Sequence, residues 1–324
     1  MLTLGIESTA HTFSAAVIKD KKILSNVIKG FTTQSGGMIP SKVADHHVDN
    51  CQEIIRQALS KASVSITDIK LISYSRAPGI GHMLRIGAAA ARSLAIKHDI
   101  PLIGVNHCIA HLEIGRLLTP AKDPILLYVS GANTQVIAFV SGRYRIFGET
   151  LDVGIGNFLD TFARDAGLGF PGGPKIAELA KSGKVLIELP YTVKGMDISL
   201  SGLQTNLSQK LGKYPIEDLC YSIQETVFAM IVEVAERALA HCEKTEILLG
   251  GGVACNTRLR EMMTAMCEAR GAKAYFVDNQ YCIDNAAMIA WQGILQFTAG
   301  EKTKIKEADI DPYERTDEVE VTWR

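Results

Sequence analysis

Hydrophobic and polar positions fall along this chain in short blocks, and the blocks recur. Residues 2–7 form an apolar run that predicts a strand, and residues 8–12, Ser-Thr-Ala-His-Thr, a polar turn. Residues 13–18 predict a second strand, the charged run 19–22 a turn, and residues 23–27 a third strand. At an offset of 122 residues the same order returns, with Thr12 falling on Thr134 and His11 on Asn133. Residues 125–129, 135–140 and 144–147 then predict three strands, separated by Ser-Gly-Ala-Asn-Thr at 130–134 and Ser-Gly-Arg at 141–143.

The later blocks match as well. An apolar strand at 69–75 leads through Arg-Ala-Pro-Gly-Ile-Gly into an Ala-rich helix from about 84 to 96. Its counterpart is a strand at 246–249, a Gly-rich segment at 250–256 and a helix from about 257 to 270. A further strand follows in each half, at 101–105 and 274–277, and each half ends in a polar loop and a helix, the last at 286–296. Three hairpin-linked strands followed by right-handed β-α-β units predict a mixed sheet with helices on its faces. The expected architecture is therefore α/β, with two duplicated lobes at 1–122 and 123–324 facing one cleft. The second lobe carries an extra stretch at about 155–215, rich in Gly, Pro, Lys and Ser, placed where an insertion shapes a substrate pocket.

Composition narrows this picture. The 324 residues are enough for two domains, and 47% hydrophobic with 21% charged residues is ordinary for a globular chain. A formal charge of −1 excludes a globally basic nucleic-acid binder, so any RNA contact has to come from a local patch or a partner. No uncharged apolar stretch reaches the roughly 18 residues of a membrane helix. The seven cysteines form no C-x-x-C pair, and the chain opens on a strand without a basic leader. A cytosolic protein that touches no membrane is expected.

Two constellations carry chemistry. Gly-rich turns bring backbone N–H groups and helix N-termini to bear on anions, and the second half has four: 130–134, 154–157, 171–174 and 250–256. They predict nucleotide or phosphate binding, although neither a P-loop nor a placed G-x-G-x-x-G is present. The second constellation is Asn106-His107-Cys108-Ile109-Ala110-His111-Leu112-Glu113. Histidines at i and i+4 share a helical face and can ligate one metal. A zincin peptidase would need H-E-x-x-H, but Cys108 holds the Glu position and Glu113 is off the pair's face. The adjacent His46 and His47 supply at most one ligand, and a solvated or cleft-lining role is expected of them. Neither Ser130 nor Ser201 lies in a G-x-S-x-G elbow, so no serine nucleophile is predicted.

The duplicated unit with its phosphate turns resembles the actin, sugar kinase and Hsp70 superfamily, with its RNase H-like lobes around a central nucleotide cleft. The string Gly5-Ile6-Glu7-Ser8-Thr9-Ala10-His11-Thr12 narrows the match, as do Gly104-Val105-Asn106-His107-Cys108-Ile109-Ala110-His111, Tyr128-Val129-Ser130-Gly131 and Gly148-Glu149-Thr150-Leu151-Asp152. Phe170-Pro171-Gly172-Gly173-Pro174, Ser199-Leu200-Ser201-Gly202-Leu203 and Gly251-Gly252-Val253-Ala254 complete it. Together they resemble the tRNA threonylcarbamoyladenosine-forming family in its archaeal and eukaryotic KEOPS branch, once misnamed O-sialoglycoprotein endopeptidase for its histidine pair.

That resemblance implies transfer of a threonylcarbamoyl group from threonylcarbamoyl-AMP to the exocyclic amine of the adenosine beside the anticodon, in tRNAs reading codons that begin with A. It implies one divalent metal on His107, His111, Tyr128 and Asp284, a donor set that favours Fe and also accepts Zn. It places the adenylate on Tyr128, Val129, Ser130, Gly131, Ala132, Asp160, Gly173 and Asn256. It implies as partners tRNA, a small kinase-like ATPase with further KEOPS subunits, and a separate adenylate-forming enzyme. Four positions depart from the family's usual strings: Ser8, Ala132 and Ala286, each where Gly is usual, and Ala177, where some archaeal relatives carry Glu. An alanine forced to positive φ at 132 or 286 would be strained by about 1 kcal/mol.

Overall fold

The computed structural model describes residues 1–33 and 38–324. The first half runs β1 (Leu2–Glu7), β2 (Thr12–Lys19), β3 (Lys22–Gly30), α1 (Pro40–Lys61), β4 (Leu71–Ala77), α2 (Gly81–His98), β5 (Leu102–Asn106) and α3 (His107–Leu118). The second opens with β6 (Ile125–Val129), β7 (Thr134–Val140) and β8 (Arg143–Glu149). There follow α4 (Ile155–Asp165), α5 (Gly173–Ala180), a two-residue pair β9 (Val193–Lys194) and β10 (Asp197–Ile198), α6 (Ser201–Lys210) and α7 (Ile216–His241). It closes with β11 (Glu246–Gly250), α8 (Thr257–Ala269), β12 (Lys273–Phe276), the one-turn α9 (Asn279–Cys282) and α10 (Ala286–Thr298).

The two sheets have the same topology. Their strand orders are β3-β2-β1-β4-β5 and β8-β7-β6-β11-β12. In each, the three hairpin-linked strands pair antiparallel and the outer two pairs are parallel. The duplication read from the sequence is thus a duplication of mixed sheets. The central strands read as nearly continuous apolar runs because helices cover both faces. Residues 155–215 fold as α4, α5, the short pair and α6, beside the long buried helix α7.

The last helix of each half crosses to the other half's sheet, which no local pattern announces. Cys108, Ile109 and Leu112 of α3 pack with Leu126, Tyr128, Ile137 and Leu248 of the second sheet. Ala286, Ala287 and Ile289 of α10 pack with Ala16, Ile18, Leu71, Ile103 and Val105 of the first. Ala110 and Ile114 of α3 join that same cluster, so the two helices also meet each other. Residues 299–324 then strap both lobes. The Thr303 amide donates to the Leu102 carbonyl at 3.0 Å, and Trp323 packs on the cluster that holds Tyr128 and Tyr144.

The crossing explains a glycine inside a strand. A Cβ on Gly5 would stand 2.2 Å from the Ala286 carbonyl oxygen and 2.7 Å from the Ala290 amide, so α10 seats directly on the β1 backbone. Gly5→Ala must push the helix off the sheet and is expected to cost about 1–3 kcal/mol. Urea unfolding should show a lower midpoint with an unchanged slope. A midpoint equal to the parent's would contradict this packing. Among the described residues no helix is long and apolar enough to cross a membrane.

Candidate active site

The floor of the cleft is built by asparagine caps. Asn106 ends β5, and its Oδ1 accepts from the amides of Cys108 at 3.1 Å and Ile109 at 3.3 Å. That cap starts α3 with His107 at its first position and brings His111 up one turn later on the same face. Asn285 caps α10 by accepting from the Met288 amide at 3.2 Å, which fixes Asp284 at the mouth of the second crossing helix. Tyr128 arrives from the end of β6, fully buried.

These four side chains converge. Nε2 of His107 lies 2.9 Å from the Tyr128 hydroxyl and 3.3 Å from Oδ1 of Asp284, and Nε2 of His111 lies 3.4 Å from the same oxygen. His107, His111 and Asp284 each present a ligand atom within 4.8 Å of the others. Donors bound at about 2.1 Å to a single ion stand about 3.0–3.4 Å apart, so the observed spacings fit a shared cation. Glu113, by contrast, turns to the Tyr144 hydroxyl, Arg116 and the Trp323 indole, away from the cluster. It cannot serve these histidines as a peptidase base.

Glu7 is the residue that spacing alone did not single out. Fully buried at the end of β1, it places Oε2 3.0 Å from Nδ1 of His107, while Oε1 accepts from the Thr9 amide at 2.7 Å. The Thr9 hydroxyl also bonds Glu7 and lies 3.3 Å from His107 Nδ1. A carboxylate on the far nitrogen of a ligating histidine fixes its tautomer and ring plane. The signal was available: Glu7 is the one charged residue of β1.

The charges agree with a cation site. Burial opposes charge on His107, yet Tyr128, Glu7 and Asp284 together hold its pKa well above the ordinary imidazole value. Burial lowers that of His111, and the charge on His107 adds to the effect. Burial would raise Asp284, but His107 and His111 keep it well below the usual carboxylate range. Glu7 and Asp284 thus face His107 from its two ring nitrogens, surroundings that suit a bound cation.

Beside this cluster, the 130–134 turn follows Tyr128 without a break. Its closing bonds use the Ser130 and Asn133 amides, at 2.8 Å to the Asn133 carbonyl and 3.3 Å to the Ser130 hydroxyl. The amides of Gly131 and Ala132 have no protein acceptor among the described residues. Ala132 and Ala286 both keep negative φ, so the two departures from glycine carry no backbone strain. Val129 is buried in β6, and its carbonyl sits 2.4 Å from where a Cβ of Gly251 (φ +92°) would be. That contact ties the 250–256 segment to the turn.

The second glycine turn, 154–157, has a different job from the one its sequence suggested. Its Ile155, Gly156 and Asn157 amides donate to Thr134 Oγ1 at 3.0 Å and to the Ser130 and Gly131 carbonyls at 2.9 Å each. A Cβ on Gly154 would lie 2.4 Å from the Ala132 carbonyl. The glycines let α4 buttress the 130–134 turn, and three of the four amides there are committed to that support.

Asp160 accepts from the Gly172 amide at 2.7 Å, and burial raises its carboxyl pKa. Gly173 opens α5, and the position of its missing Cβ is open space. Asn256 caps α8 through the Arg258 and Leu259 amides and donates to Gln224 at 2.5 Å, which leaves one amide proton. Ala177 is half-buried on α5, while Glu178 is exposed and pairs with Lys181.

His47 is not solvated, one of the two roles expected of it. It is fully buried, its Nε2 lies 3.0 Å from the Ala10 carbonyl, and burial pushes its pKa down to about 4. Although adjacent, its ring and that of His46 approach to 3.3 Å between Nδ1 atoms.

Comparison with known proteins identifies the family. A protein of *Thermococcus kodakarensis* named tRNA N6-adenosine threonylcarbamoyltransferase is 53% identical over 325 residues, covering all of both chains. One of *Methanosarcina acetivorans*, named a probable bifunctional tRNA threonylcarbamoyladenosine biosynthesis protein, is 53% identical over 99% of this chain and 59% of its own length. Among solved structures, *T. kodakarensis* HypF superposes with a TM-score of 0.63 at 14% identity, over 90% of this chain and 47% of its own. The ADPNP-bound activator of the *Clostridium difficile* 2-hydroxyisocaproyl-CoA dehydratase gives 0.56 at 12% identity, over 90% and 94%. These two likenesses speak to the fold, which is the two-lobed actin-like and Hsp70-like α/β architecture. The sequence profile of the tRNA N6-adenosine threonylcarbamoyltransferases matches residues 22–291, and the chain belongs to that family of transferases.

Proposed function

We propose that this chain transfers the threonylcarbamoyl group of threonylcarbamoyl-AMP to the N6 amine of a tRNA adenosine, releasing AMP, as the cytoplasmic catalytic subunit of a KEOPS-type complex. The observation that carries the reading is the convergence of His107, His111, Tyr128 and Asp284 directly beside a turn with two unused amides. Those four side chains would hold one divalent ion, Fe or Zn by donor type. When bound, that ion supplies Lewis acidity toward the carbamoyl carbonyl and offsets phosphate charge.

The remaining work falls to the chain's own groups. Glu7 orients His107, and the Gly131 and Ala132 amides face the adenylate phosphate, with Ser130 and the Val129 backbone shaping the turn. Asp160, Gly173 and Asn256 complete the adenylate pocket. The adenosine amine attacks the carbamoyl carbon, the bond from that carbon to the phosphate oxygen breaks, AMP departs with the electron pair, and the amine's surplus proton passes to solvent. An acyl phosphate is already activated, so no side-chain nucleophile is required.

The test uses the open glycine. The Cβ of Gly173→Val meets nothing in the protein within 4 Å, and the variant should keep its stability within about 0.5 kcal/mol. By blocking backbone approach it should weaken adenylate or ATP affinity at least about tenfold, the value of one charge-assisted hydrogen bond. Gly131→Val, whose Cβ would lie 3.3 Å from Asn157 Oδ1, should act the same way. Calorimetry showing parental affinity for both variants would overturn the placement.

The overall charge of −1 bears on partners. Phosphate attraction dominates non-specific RNA affinity, so a kinase-like ATPase and companion subunits would supply part of the tRNA surface, with a separate enzyme making the adenylate.

A further inference from the structure

Three rings from the first lobe and one from the second gather at the mouth of the cleft. His11 lies in the turn after β1, Phe31 directly after β3 and His46 on α1; all three are half-buried. The Phe31 amide donates to the His11 carbonyl at 2.8 Å, which holds the two residues together. The Phe31 and His46 rings meet edge to face at 5.9 Å, and the His11 and Phe170 rings at 5.4 Å. Phe170 belongs to the second lobe, and its backbone pairs with Thr33 across the cleft, at 3.2 Å and 3.4 Å. It lies two residues before Gly172, whose amide Asp160 binds, and His11 is within electrostatic reach of that carboxylate. The cluster therefore borders the proposed adenylate pocket on the side facing solvent.

Charge flanks the rings. Lys42 is exposed on α1 one turn before His46, so the two share a face. Burial lowers the pKa of His46, and Lys29, next to last in β3, is close enough to add to that against the pull of Asp49. Half-exposed aromatic rings beside lysines are the surface on which unpaired nucleotides are held, by stacking of bases and attraction of phosphates. An amine inside a base stack cannot reach a buried cleft, so the acceptor loop has to be splayed before transfer.

We propose that this aromatic mouth is the acceptor-RNA subsite, with unpaired loop bases stacking on Phe31 and His46 and Lys29 and Lys42 holding the flanking phosphates. The inference deepens the tRNA-transferase reading and rests on it.

The experiment uses the full chain with its partner subunits and an anticodon-loop RNA hairpin carrying 2-aminopurine beside the target adenosine. Binding to the parent chain should change the 2-aminopurine fluorescence. Phe31→Leu, of similar bulk, should abolish that change and raise the KM for tRNA about tenfold, the loss of one base–aromatic stack. Its adenylate affinity should stay parental, and Phe31→Tyr should restore both readouts. Lys42→Gln should reduce the salt dependence of RNA binding by about one phosphate contact. Phe31→Leu with parental KM and fluorescence would overturn the subsite. So would Phe31→Tyr failing as badly as Phe31→Leu, because the ring would then serve packing, or occupation of the mouth by a partner protein that leaves RNA binding unchanged. A parent chain that modifies no tRNA in this assay would overturn the transferase reading and the subsite with it.

Discussion

The double variant His107→Ala, His111→Ala is expected to lose its metal and nearly all transfer activity. The two imidazoles are half of the four proposed donors, and their Nε2 atoms both stand within 3.4 Å of Asp284 Oδ1. The remaining phenol and carboxylate cannot hold a first-row metal against water at ordinary concentrations. Lewis-acid stabilisation is worth several kcal/mol, and each 1.36 kcal/mol is a factor of ten. The expected fall in transfer rate is therefore about a thousandfold or more. Elemental analysis of purified protein reads the metal directly, and circular dichroism shows whether the fold survives. Because both side chains are buried, His111→Gln serves as a volume-conserving companion, and it should lose metal without leaving a cavity. Full metal retention in either variant would remove these residues from the ligand set.

Glu7→Gln should have the second-largest effect although its side chain is not among the proposed ligands. Glu7 accepts on both oxygens, from the Thr9 amide at 2.7 Å and from His107 Nδ1 at 3.0 Å. Glutamine has a single acceptor oxygen. Whichever way the amide is turned, its NH2 faces either the Thr9 N–H or the His107 Nδ1–H. The cheaper escape is for His107 to move its proton to Nε2, the atom that should face the metal. The expected result is a 10–100-fold loss of metal affinity, the range typical of such supporting partners. Metal titration with a competing chelator measures it. Transfer activity at saturating metal should recover most of its parental value. Unchanged metal affinity would reduce Glu7 to a structural role.

Much of this molecule is written in local pattern. The central strands of both sheets stand out because they are buried on both faces and read as apolar runs, and the repeat of turns at 8–12 and 130–134 exposes the duplication. The histidine pair is legible because helical spacing alone puts i and i+4 on one face. The exchange of α3 and α10 between sheets is not legible, since either face of an apolar helix could have met either sheet. The 154–157 turn shows a different limit. Glycine serves close backbone approach and ligand approach equally well, and only the hydrogen bonds of Ile155, Gly156 and Asn157 tell which applies. His47 illustrates the same point for histidine, where burial against Phe13 and the Ala10 carbonyl makes it part of the core. Asp284 was placed by resemblance, and its position at the site depends on the crossing of α10.

The most direct test of the account is nucleoside mass spectrometry of tRNA incubated with this chain, the proposed kinase-like ATPase and companion subunits, the adenylate-forming enzyme, threonine, bicarbonate and ATP. The account predicts adenosine carrying the added mass of one threonylcarbamoyl group, only when this chain is present and not when Asp284→Asn replaces it. Modified adenosine formed equally well without the chain, or unmodified adenosine when every component is present, would contradict it.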